Sequence, residues 1–480
     1  MSELGTTAAI LRPVRFALPA APLSDPWAET LGILLLCPIL MSVAVWNGFP
    51  IIFYDTGAYM LQGLGHVFIA ERSPIYSGFL SVAGGAYSLW LVAIVQCALT
   101  AFVMTEFARA IRPSLSLWSL LVIGAVLSIA TGLPWYAAQI EPDCFVALVP
   151  LTLYLLAFHG AALGTARKAA LFAAAVIAIS CHPSHFPLSA GLLAAIAGLR
   201  FAPQAWRTAR DLPRPHLLLA VSSLGVAILV VFAVNYAFTR EVFFSRSGAI
   251  FLEARIMEDG LIAPVLDADC PKGANYAICP YKDRLPSRAD TWLWMAEQSP
   301  FHKLGGFAKR EKESATLVRE SLARYPLENA IVALEDGALQ FFWFQTGDGI
   351  VPQEWVLNRE FKIAIPQQVS AYDRAYQQEG EIWFLPVNLV HVPAAFLALA
   401  ALYMILRGVV ARRDWRAGVL PAFILLALMG NAFICGAFSG PHGRYQSRIM
   451  WLPAFAVLLI AWPRIEDEMR RRMRPKTVTD

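Results

Sequence analysis

Charge is scarce in this chain. Asp, Glu, Lys and Arg make up 15% of its 480 residues, where soluble domains carry about a quarter. That shortage excludes an ordinary water-soluble globule. Period-two alternation and the turn spacing of a barrel are also missing, which excludes a β-barrel. There is no internal repeat and no pair of broken segments in corresponding halves, and this counts against a transporter assembled from repeats. The net charge is only +4, with its arginines dispersed among short breaks, so nucleic acid is excluded as a partner.

Hydrophobicity is abundant: 57% of the residues are apolar and the mean hydropathy is +0.53. Apolar runs of about 14 to 23 residues recur, separated by short charged or Pro/Gly-rich breaks. They fall at 31–46, 79–105, 115–130, 144–158, 169–180, 186–199, 217–238, 384–406, 419–438 and 449–462. Segments 169–180 and 186–199 are short, joined by CHPSHFP. The pattern predicts an all-α polytopic membrane protein of about ten transmembrane helices.

Arginine and lysine mark alternate breaks: Arg109 and Arg112, Arg167 and Lys168, Arg200 to Arg214, and Arg407 to Arg416. By the positive-inside rule these face the cytoplasm. Both termini are then cytoplasmic, namely the polar leader 1–27 with Arg12 and Arg15 and the basic tail 470–474. The first run, without a small-residue cleavage site, is expected to stay as an uncleaved helix.

Composition divides the chain into 1–238, an N-terminal membrane module, 239–383, an insertion of mixed charge on the outer (periplasmic) face, and 384–480, a C-terminal membrane module with its tail. Within the insertion, 306–325 has helical patterning. The stretch 328–344 ends in FFWF and is expected to lie against the bilayer, surrounded by membrane lipids. Of seven cysteines, only Cys270 and Cys279 lie in the insertion. Their close spacing suits a disulfide in an oxidising compartment; a zinc site would need a second pair or a histidine that is not nearby.

On this topology five polar clusters share the outer face. They are Asp55 with Tyr59; Glu71 with Arg72; Glu141 with Asp143; His182 with His185; and His442, Arg444, Tyr445 and Arg448. Ionisable groups at helix ends on one side of a bundle are expensive unless they face a wet cavity. Each also has a plainer reading. Asp55 can cap a helix over 56–61, and Glu141 and Asp143 can start a helix whose dipole they complement. The histidines, three apart, can be packed polar groups or two ligands of a metal lacking a third. Arg444 and Arg448 can be anchors that snorkel to head groups.

An aspartate just past a first membrane helix, in NGFPIIFYDTGAY, resembles the first external loop of the GT-C superfamily of membrane glycosyltransferases. So do an acidic pair after the third helix, an outer insertion, and Arg-Tyr near the last external turn. The resemblance spans the chain as architecture and short motifs as sequence. The first loop has one acid where better-known members have two, and no WWD-type acceptor motif occurs. The Cys270–Cys279 stretch and PHGRYQSR are further similar to a group of bacterial membrane proteins, which implies an inner (plasma) membrane location.

The resemblance implies transfer of a sugar from a polyprenyl-phosphate donor to an acceptor that is a lipid, a glycan or a protein. Such a donor, polar at its head and greasy at its tail, needs a cavity at the membrane surface. The chemistry needs a carboxylate to take the acceptor's proton and cations to meet the leaving phosphate. Asp55 suits the first role and Arg444 the second, because a guanidinium meets two phosphate oxygens. Tyr59, Arg72, Glu141, Asp143, His182, His185, His442, Tyr445 and Arg448 are the expected substrate-binding set. The resemblance fixes no cofactor and leaves a divalent cation open. A transporter or flippase of lipid-linked saccharide and a non-enzymatic cell-envelope assembly subunit are the competing readings. Polar residues at mid-membrane depth would favour the transporter, whereas here nearly all of them sit at one face.

Overall fold

The structure is a computed structural model that describes residues 22–23, 25–354, 357–380 and 382–473. The arginines of the leader and the last residues of the tail lie outside that set. Helix accounts for 73% of the structure, and no strand forms among the described residues. Seven helical stretches are long and apolar enough to cross a membrane: Pro26–Asn47, Leu89–Ile111, Pro142–Ala162, Leu218–Thr239, Phe384–Arg412, Trp415–Ser439 and Gly443–Glu468. The three remaining runs form shorter helices, Leu117–Ala130, Thr165–Ser180 and His185–Phe201. The protein is thus an all-α polytopic membrane protein with seven full-length candidate spans.

The helices begin where local chemistry supplies a partner for their free N–H groups. Ser88 and Ser116 accept from Trp90 N and Ser119 N, while proline occupies the first turn at Pro26, Pro74 and Pro326. The run 79–105 is not one helix. It divides into Pro74–Val82 and Leu89–Ile111, because Gly84 takes a left-handed φ of +91° that ends the first. Elsewhere small residues allow close approach. A Cβ on Gly124 would run into Leu36 of the first helix, and one on Gly436 into the backbone of Asp336.

The second of those contacts shows how 239–383 is built. Residues 250–318 form an apolar core of their own around Trp292, Phe301 and Leu317, with Cys270 and Cys279 joined as a disulfide at its edge. Helix Pro326–Phe342 instead packs on Trp415–Ser439. Phe344, Phe361, Ile365 and Tyr372 belong to the main core of the membrane helices. Burial, unlike composition, therefore does not treat the segment as one body.

Two loops at one end of the bundle are held together by backbone. Ile51 N donates to Ala138 O at 3.3 Å and Ile140 N donates to Ile51 O at 2.9 Å, a short parallel bridge. Gln377 brackets Ile52 on both its N–H and C=O, and Gln96 donates to Gln139 O at 2.7 Å. Buried irregular backbone is tolerated only when satisfied in this way. The bridge brings Asp55 and Glu141 to the same place.

Candidate active site

Asp55 stands at the N-cap position of helix Thr56–Leu64 but makes no capping bond with its side chain. The carboxylate turns to Arg72, whose Nη2 donates to Oδ1 at 2.5 Å. The capping alternative therefore fails for this side chain. Tyr59, one turn on, is 3% exposed and lies edge-on to Tyr76 at 4.9 Å.

Glu141 and Asp143 flank Pro142 at the start of a short 3-10 turn, and neither caps it. Asp143 pairs with Arg448 and lies 3.7 Å from Arg444 Nη1. Glu141 is 2% exposed and has no cation at ion-pair distance among the described residues; its contact is the Thr56 hydroxyl at 3.4 Å. That hydroxyl has one proton, and Ile140 O lies closer to it at 2.9 Å. Burial pushes the Glu141 carboxyl well above the ordinary carboxylate range, and Asp55 and Asp143 push it further against the pull of Arg444 and Arg72.

The last turn supplies the cations. Arg448 is 1% exposed, donating to Asp143 and contacting Cys435 Sγ at 3.3 Å. An anchor at the head groups would be solvated, so that reading does not hold for Arg448. Arg444 lies over the Phe53 ring at 4.1 Å and donates to Tyr445 Oη at 3.2 Å. Phe53 reaches it because Gly349 (φ +74°) has no side chain to block the ring.

His182 and His185 lie with their rings 5.2 Å apart, just past Ser180, whose carbonyl accepts from Ser73 beside Arg72 at 3.3 Å. Each is held locally: His182 Nδ1 contacts Ser184 Oγ at 2.7 Å and His185 Nδ1 contacts Ala178 O at 2.6 Å. No group of three or more His, Cys, Asp or Glu is placed to hold a metal among the described residues. His442 sits 3.6 Å from both Asp290 and Asp348.

All five clusters therefore meet at the end of the bundle facing the second core. No family model, curated protein or solved structure matches the chain. What the site can do must come from its own groups, and four of them are absent from the sequence-based set. Phe53 supports Arg444. Asp348 accepts from Arg444 N at 3.2 Å; burial raises its carboxyl, yet His442 and that N–H outweigh it and hold it below the usual range. Asp290 reaches His442, and the Trp294 ring lies 5.4 Å from Arg72. A Gly-Asp-Gly turn is the one signal that marked Asp348 in advance. Asp290 and Trp294 carried none, since only folding brings the second core over the site.

Proposed function

We propose that this protein is a membrane glycosyltransferase of GT-C type, which moves a sugar from a polyprenyl-phosphate donor to an acceptor at the periplasmic face of the bacterial inner membrane. The observation that carries the reading is a difference among three arginines. The guanidinium groups of Arg72 and Arg448 each touch a carboxylate directly, whereas among the described residues that of Arg444 comes no nearer to one than the 3.7 Å to Asp143. Arg444 keeps donors for a ligand while its neighbours are committed to the protein.

In the reaction, Asp55 takes the proton of the acceptor hydroxyl as that oxygen bonds to the anomeric carbon. The bond from that carbon to the phosphate oxygen breaks, and the electron pair leaves on the polyprenyl phosphate. Arg444 meets the charge that develops there. Arg72, paired with Asp55, holds its carboxylate in place. Asp143 with Arg448 builds the wall on which Arg444 stands, and Glu141, Tyr59, His182, His185, His442 and Tyr445 line or brace the cavity. A lipid-extract comparison of cells with and without the protein tests the reading. Accumulation of a polyprenyl-phosphate sugar supports it, and an unchanged lipid-linked sugar pool overturns it.

A further inference from the structure

The second core touches the site through one helix face. Asp290 and Trp294 are four residues apart on the helix Ala289–Trp294, so their side chains share a side. Asp290 Oδ2 lies 3.6 Å from His442 Nε2, and the Trp294 ring lies 5.4 Å from the Arg72 guanidinium. The two residues thereby touch different parts of the site, one at His442 and the other at Arg72.

The helix is fixed from behind. Ala289, Trp292 and Leu293 are buried in the second core, Ala289 N donates to Glu258 Oε2 at 2.9 Å, and Arg310 lies over Trp292 at 5.3 Å. The other face is partly open, although the Trp294 ring also packs against Phe251 and Phe307 with centroids 6.2 and 5.5 Å away. Trp294 is 44% exposed and the Asp290 side chain 43%, with Tyr54, next to Asp55, also exposed.

A partly exposed indole and a carboxylate not bound by an arginine make a particular kind of surface. The exposed part of the ring offers an apolar surface to the C–H side of a pyranose, and the carboxylate accepts from its hydroxyls. A lipid chain would not need the carboxylate. A phosphate would be repelled by it, with Asp348 facing the same His442. We propose that Asp290 and Trp294 form a subsite for a neutral pyranose ring of the acceptor, so that the acceptor is a glycan. This rests on the transferase reading for its purpose but not for its test.

The test is direct binding to the full-length protein in a detergent without a sugar head group. Maltotriose, cellotriose and triacetylchitotriose serve as probes, read by saturation-transfer NMR at millimolar concentration. At least one of the three is expected to bind, with affinity falling about tenfold or more in Trp294→Ala and in Asp290→Asn and largely restored in Trp294→Phe. If Trp294→Ala lowers folded yield, Asp290→Asn and Trp294→Phe decide. No binding by any probe overturns the proposal. Binding unaffected by these substitutions also overturns it and returns Trp294 to the role of an interfacial ring. Neither donor nor turnover enters the measurement, so its failure is distinct from failure of the transferase reading.

Discussion

Arg72 closes on Asp55 at 2.5 Å across 17 residues of sequence, and neither side chain does anything for the helix that begins beside it. Because the Asp55 carboxylate does not cap, Asp55→Asn removes a charge pair and a proton acceptor without loosening the helix end. Transfer is expected to fall about 10²-fold or more while expression stays normal. Near wild-type turnover in membranes holding equal amounts of Asp55→Asn protein would remove Asp55 from the chemistry.

Glu141 and Asp143 should respond oppositely to the loss of charge. Glu141 is buried with no cation at ion-pair distance among the described residues, so Glu141→Gln, which resembles its protonated form, should match the wild type in acid and be more stable than it at neutral pH. Asp143→Ala leaves Arg448 buried and uncompensated, a loss of about 3–5 kcal/mol when one partner of a buried pair is removed. The carboxyl of Glu141 is raised in the folded state, so its contribution is complete at acid pH and declines as pH rises; Glu141→Gln should flatten that decline. Melting curves of the three proteins between pH 5 and pH 9, a window of about four units around neutrality, separate the cases.

Arg444→Lys should keep the fold and lose donor use. Lysine retains the charge but not the fork that meets two oxygens at once, and it stacks less well on Phe53. Both donor KM and kcat are expected to worsen in Arg444→Lys and further in Arg444→Ala. Full activity of the lysine variant would leave Arg444 a packing residue.

Asp259 makes the second core sensitive to pH. Burial lifts its carboxyl to about 7, helped by Asp336 and Glu258, despite the adjoining Arg255. A folded-state value above the unfolded one means that stability is fully present in acid and lost as pH rises toward 7. Hydrogen exchange of helix Gly248–Glu258, corrected for intrinsic rates, should show protection declining from pH 5 to pH 8, a range of about three units spanning that titration. Asp259→Asn should abolish the decline, and an equally steep decline in that variant would rule Asp259 out as its source.

The proposed orientation has its own test. Lys303 is exposed on the second core, so a cysteine at Lys303→Cys should react with a membrane-impermeant maleimide in intact spheroplasts. Labelling only after the membrane is broken would place the core in the cytoplasm and withdraw the periplasmic assignment of the site.

Much of the architecture was legible before folding. Helix positions follow from apolar runs because a bilayer imposes length and composition on whatever crosses it. The Cys270–Cys279 pair follows from being the two cysteines of the 239–383 insertion. The break at Gly84 was missed because an apolar tally does not register one left-handed residue inside a hydrophobic run.

The candidate site was legible as five separate clusters, since ionisable residues at helix ends stand out against an apolar background. Which acid meets which arginine was not. Asp55 with Arg72 and Asp143 with Arg448 are pairings set by the bridge between Ile51 and Ile140 and by the path of the last helices.

Sequence by itself determined that this protein is helical and membrane-embedded, and which polar residues it gathers at helix ends, because hydrophobic length and charge placement are properties of the chain in order. Only the tertiary structure decided that Glu141 has no cation at ion-pair distance among the described residues, that Arg444 keeps donors to spare, and that Asp290 and Trp294 stand over the site. Those depend on contacts between residues distant in sequence, and burial sets the charge state of a carboxyl only after the neighbours that exclude water are in place.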